Sequence, residues 1–245
     1  MVGVGLDVID ITSRSFHTLI DNKTVLIYAA VGGIVSALFS AAFISQTTSL
    51  SALGVNPPIT TLLPVLLSFL GAAAVGILVA FLINIFVSGS IISAAGSVGK
   101  LDAGDAAKRS VDRYVTLLIT TVVEGIIVGI GFILFVIPGI FLAVRLSLAP
   151  VEVVVGKRGV VDSLQGSWNA TAGNFWGILI ILALVFIVAS IISGLFGIVF
   201  TLIHLRPIAS FISTFVSYSF TVAWVLMYQK IAAPAASRAG PRKKR

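Results

Sequence analysis

From Thr24 to Gly99 the chain carries no Asp, Glu, Lys or Arg. A soluble domain keeps roughly a quarter of its residues charged to stay solvated, so a stretch of this kind has no stable arrangement in water. Over all 245 residues, 58% are hydrophobic and 10% charged. Lipid is the solvent that fits this sequence. Beyond Gly99 the charged patches are separated by apolar runs of the roughly 18 residues that a spanning helix needs.

Six spans are expected, at 24–45, 62–87, 114–137, 138–155, 175–203 and 207–231, with the fourth the shortest. The uncharged stretch from Gln46 to Thr61, rich in Ser, Thr, Asn and Pro, reads as a loop. Met1 to Asn22 carries Asp7, Asp10 and Asp21 and no long apolar run, which is not the pattern of a cleavable signal peptide. The expected fold is therefore all-α and polytopic. Residues 1–232 form one integral membrane domain, and residues 233–245 form a disordered basic tail ending in Arg242-Lys243-Lys244-Arg245.

The cations set the orientation. Arg14, Lys23, Lys100, Lys108, Arg109, Arg113, Lys157, Arg158 and the tail all fall on one side of a six-span arrangement, Arg206 falls on the other, and Arg145 lies within the membrane. The positive-inside rule then places both termini in the cytoplasm of a multi-pass cell-membrane protein. Orientation accounts for the net charge of +7. No basic patch interleaved with aromatics points to nucleic acid, whereas the tail is suited to anionic headgroups.

A short pattern recurs before each span expected to run outward: Asp10 with Ser15, Asp105 with Ser110, and Asp162 with Ser167. The first and third copies match further, Val8, Asp10, Ser15, Phe16 and Asn22 aligning with Val160, Asp162, Ser167, Trp168 and Asn174. Three copies of one unit follow, each an interfacial amphipathic helix and then a hairpin of two spans. In the first copy Val4, Val8, Ile11 and Leu19 share a helical face, away from most of the charges. Phe16 and Trp168 would anchor such helices at headgroup level. Small residues at Ala29, Gly33, Ala37 and Ala41, and at Gly125 and Gly129, would let helix backbones approach closely.

Candidate chemistry is sparse. There is no cysteine, and His17 and His204 fall on opposite sides of the membrane, so they cannot share a metal. No HExxH, P-loop, GxGxxG or GxSxG pattern occurs. Neither a catalytic group, a metal nor a cofactor is expected. Glu124, Arg145 and Glu152 lie at membrane depth, where a charge costs about 3 kcal/mol, and they read as a structural network that fixes helix register. Pro138 and Gly139 are expected to form the hairpin turn between spans three and four. Pro150 would kink the fourth span and free the Leu146 carbonyl. Counted from Pro138, Arg145 lies about 10 Å and Glu124 about 20 Å below the outer end, so that carbonyl is the expected partner of Arg145.

The stretch Pro138-Gly139-Ile140-Phe141-Leu142-Ala143-Val144-Arg145, followed by Gly156-Lys157-Arg158-Gly159, Ser163-Leu164, Ser167-Trp168 and Gly173-Asn174-Phe175-Trp176, carries a family likeness. It resembles the glycerophosphodiester phosphodiesterase membrane-domain family and related uncharacterised bacterial and archaeal six-span proteins. The resemblance implies a six-helix membrane domain, in some members fused to a soluble phosphodiesterase domain that carries the catalytic groups. It implies no catalytic role for Pro138, Arg145 or Trp168.

These features favour a non-catalytic membrane protein, acting as scaffold, partner subunit or lipid-interacting module. Its partners would be membrane lipids and a further membrane or peripheral protein. The alternative is a transporter or channel for a small or lipidic solute, with Glu124 and Arg145 lining a polar cavity.

Overall fold

The computed structural model describes residues 7–51, 58–97, 101–203 and 205–238. Among the described residues the chain forms nine α-helices: α1 (Val8–Asp21), α2 (Lys23–Ser51), α3 (Ile59–Gly96), α4 (Ala103–Leu134), α5 (Val136–Leu146), α6 (Ala149–Val154), α7 (Val160–Thr171), α8 (Phe175–Leu202) and α9 (Arg206–Arg238). Six segments are long and apolar enough to span a bilayer, the fourth built from α5 and α6 together. The protein is a multi-pass helical membrane protein. Helix α3 has 38 residues, about 57 Å at 1.5 Å per residue, so it outruns a hydrocarbon layer of about 30 Å.

Local chemistry sets the joints. Asp7 caps α1 by accepting from the Asp10 N–H at 3.1 Å, and the Asn22 side chain accepts from the N–H groups of Thr24 and Val25 at 3.1 and 3.3 Å. A single residue thus ends α1 and starts α2. The second unit has no such joint: Asp105 and Ser110 lie inside the unbroken α4. The separate amphipathic helix expected there is the first two turns of the span itself. Helix α9 runs to Arg238, past the boundary expected at 232, while residues 239–245 and Val4 lie outside the described residues.

The serines of the three units share one environment. Ser15, Ser110 and Ser167 are each 0% exposed, as are Ile11, Ala106 and Ser163 one position after each aspartate. The Ser110 hydroxyl donates to the Phe86 carbonyl at 3.0 Å and the Ser167 hydroxyl to the Arg145 carbonyl at 2.8 Å. Each therefore reaches back to the span that precedes it. Ser15 instead donates to the Thr12 carbonyl within its own helix at 2.7 Å.

Helix α9 packs along α2 and α8 and touches α1 and α3, while α7 lies against α4, α5 and α6. Tyr218 Oη donates to Asn84 Oδ1 at 2.6 Å and Thr214 Oγ1 to Ser36 Oγ at 2.8 Å, tying α9 to α3 and α2. The first half of the small face of α2 serves this packing: Ala29 is fully buried, and a Cβ on Gly33 would lie 2.7 Å from the Phe211 ring, whereas Ala41 is exposed. The same expectation fails for Gly125 and Gly129, where a Cβ would meet nothing within 4 Å. At the other end of the bundle, Leu63, Leu67, Val75 and Ile77 are exposed, the pattern of a lipid-facing surface.

Candidate functional site: the broken fourth span and its chamber

The chain reverses between spans three and four at one residue, Phe135, whose extended backbone (φ −164°, ψ 156°) separates α4 from α5. Pro138 and Gly139 are not the turn. They sit in the first helical turn of α5, where the missing proline N–H leaves no bond unmade. Gly139 serves close approach: a Cβ there would lie 2.5 Å from the Phe132 ring, and one on Gly131 would lie 3.0 Å from Gly139 Cα.

The fourth span breaks at Ser147 and Leu148. Pro150 follows in the first turn of α6, so the proline starts a new helix instead of kinking an old one. A span broken inside hydrocarbon must satisfy its backbone from elsewhere. Ser167 on α7 does this, donating to the Arg145 carbonyl at 2.8 Å and accepting from the Leu148 N–H at 3.1 Å. Thr171 Oγ1 adds a second donor to the same carbonyl at 3.2 Å. The Arg145 side chain does not take the Leu146 carbonyl: its Nη1 donates to the Trp168 carbonyl at 3.2 Å. Its Cζ lies 5.2 Å from the centre of the Phe141 ring and 5.0 Å from that of Trp168, a double cation–π contact.

Glu124 and Arg145 form no ion pair, and the carboxylate of this region that finds a cation is Glu152. It is 3% exposed, and its Oε2 lies 3.2 Å from Arg158 Nε and accepts from Tyr228 Oη at 3.1 Å. The chain folds back to make this contact, the Arg158 N–H donating to the Glu152 carbonyl at 3.2 Å past Lys157 at φ 54°. Gly166 on α7 closes over the pair: a Cβ there would strike Arg158 Nη1 and lie 2.9 Å from Glu152 Oε1.

Beside the break lies a chamber of about 500 Å³ between α3, α4, the fourth span, α8 and α9. Phe81, Ile85, Leu117, Val128, Leu182 and Phe220 give it an apolar wall. Two of its polar side chains are bonded to groups outside the lining: Asn84 binds Tyr218 and the Ala80 carbonyl, and Ser147 donates to the Val144 carbonyl. Two groups stand apart. No partner among the described residues reaches the Glu124 carboxyl, and buried Trp224 Nε1 has no acceptor. Gly125 opens onto the same space.

The remaining expected site residues are dispersed. Asp162 is exposed on α7, Trp168 is 38% exposed beside Arg145, and Asn174 lies in the turn before α8 without a side-chain cap, unlike Asn22. Among the described residues no three His, Cys, Asp or Glu side chains gather as a metal site; His204 lies outside them. Asn84, Ser88, Phe220 and Trp224 carry no motif, and no sequence signal marked them as lining a cavity.

Comparison with known proteins places this geometry in a family. The uncharacterised protein family UPF0259 matches residues 65–229, which takes in the chamber and the broken span. The chain is 30% identical over 105 residues to a UPF0259 membrane protein of Pectobacterium carotovorum, covering 42% of each chain. It is 32% identical over 84 residues to one of Photorhabdus laumondii, covering 34% of this chain and 31% of the relative. The matched stretch thus spans less than half of either relative. No solved structure matches.

Proposed function

This chain belongs to the uncharacterised family UPF0259, and from that premise we propose that it is a non-catalytic, lipid-interacting membrane protein whose chamber holds a hydrocarbon chain. The chamber carries the reading. Its volume of about 500 Å³ is that of a ligand site, roughly 300–1,000 Å³, and its wall is mostly aliphatic and aromatic side chains, which makes an apolar interior. The resemblance to phosphodiesterase membrane domains supports a phospholipid setting by analogy. The basic end of the bundle, with both termini, is the cytoplasmic one on this reading.

The test uses the full chain in nanodiscs with a phospholipid bearing a photoactivatable group on its acyl chain. Cross-links should map to peptides holding Phe81, Leu117 and Trp224. In Gly125→Leu, whose new side chain enters the open chamber without meeting backbone, that labelling should fall several-fold while the melting temperature holds. Undiminished labelling in Gly125→Leu would refute the chamber as the site. Solute flux in liposomes that is abolished by Glu124→Gln would replace this reading with a transporter.

A further inference from the structure

A second cavity, about 670 Å³, lies at the basic end between α3, α4 and the turn after α6. Arg109, Arg113 and Lys157 line it with a single carboxylate, Asp112. Arg113 Nη1 donates to the Lys157 carbonyl at 3.3 Å, holding the two cations of different elements beside one another. At the inner wall stands Ser93, 3% exposed, whose hydroxyl finds no partner among the described residues. Three cations against one carboxylate, together with an unspent hydroxyl donor, make a cleft suited to an oxyanion.

Its place in the fold says where such an anion comes from. Passing from chamber to cleft, α3 goes from Ile92 to Ser93, α4 from Leu117 to Arg113, and the fourth span from Pro150 to Val154 and Lys157. The cleft therefore lies where the apolar spans end and the cations begin, at the level of lipid headgroups. Ile92, Leu117 and Val154 pack as one buried layer between the two cavities, so head and chain have separate sites.

We propose that this cleft binds the phosphate of an anionic phospholipid. The inference rests on the reading of the protein as a lipid-interacting module. Its test is native mass spectrometry of the full chain released from nanodiscs of phosphatidylcholine and phosphatidylglycerol. The wild type should retain phosphatidylglycerol preferentially, and the preference should fall roughly fivefold for each charge removed in Arg109→Gln, Arg113→Gln and Lys157→Gln. Lys108→Gln, exposed on α4 and outside the lining, should leave the preference intact. Equal loss in Lys108→Gln, or no loss in the three cleft variants, overturns the cleft as the site. Millimolar inorganic phosphate is the second arm: abolition of the preference at that concentration would make the cleft a site for a soluble anion instead. Loss of the preference with acyl labelling intact would fail this inference alone. Labelling unchanged in Gly125→Leu with the preference intact would fail the chamber alone.

Discussion

The Ser167 hydroxyl stands between two backbone groups of the broken span, 2.8 Å from the Arg145 carbonyl and 3.1 Å from the Leu148 nitrogen. One side chain thus serves both an acceptor and a donor that the break leaves open. Ser167→Ala should destabilise by about 1–3 kcal/mol, the cost of burying unsatisfied backbone groups. Thr171→Val should cost less, because the Arg145 carbonyl keeps Ser167. Unfolding in mixed micelles measures both, and equal losses would show that the Leu148 contact contributes nothing.

Gly166 and Gly173 flank Trp168 on either side, yet only Gly166 faces the Glu152 and Arg158 pair. Gly166→Ala should destabilise by about 1–3 kcal/mol through overpacking. Gly173→Ala, where a Cβ would meet nothing within 4 Å, should be near neutral. A neutral Gly166→Ala would mean that the Arg158 side chain swings away at no cost.

Lys230 Nζ lies 2.9 Å from Asp10 Oδ2 and joins the end of α9 to α1, with Arg14 Nε 3.4 Å from Oδ1. The hydrogen bond from Lys230 holds the Asp10 carboxyl below its ordinary value of 3.8. Its folded value is lowered, so its contribution is present above the unfolded value and is lost as pH falls through the folded one. The pair is half-exposed and screened by solvent, so the effect is modest. The melting temperature of the wild type should exceed that of Asp10→Asn at pH 7 and converge on it below pH 3.8; a gap that persists in acid would remove the carboxylate from the account.

The chain has no native cysteine, so single cysteines report sidedness directly. Ser13 on α1 and Thr61 on α3 are both exposed and lie at opposite ends of the bundle. An impermeant thiol reagent applied to intact cells should label Thr61→Cys and spare Ser13→Cys. The reverse result inverts the orientation.

The six spans were legible because hydrophobic length is a one-dimensional property, and the shared serines were legible because each unit buries the same helical face. Pro138 and Gly139 misled for a physical reason. A Pro-Gly pair fits a turn, but proline fits a first helical turn equally well, and the reversal needed only one extended residue, Phe135. The small pair Gly125 and Gly129 misled in the same way, since a glycine that admits a neighbouring helix looks like one that opens a cavity, as Gly125 does, or one that faces no neighbour, as Gly129 does. Glu152 was legible as a buried charge, but its partner was not, because Arg158 reaches it only through the left-handed Lys157. Of the chamber only Glu124 was legible, as a group on a cavity wall, because the apolar remainder of that wall has the composition of a lipid-facing surface.

The break in the fourth span also bears on how the protein is made. Helix α5 has 11 residues and α6 has 6, and the side chain that closes the gap between them belongs to α7, which leaves the ribosome later. Until α7 emerges, the nascent segment presents open peptide groups that hydrocarbon penalises by several kcal/mol each. Residence at the translocon, and not immediate release into the bilayer, is the state this segment favours, so emergence of α7 from the ribosome sets the moment at which the second hairpin can be handed to the membrane.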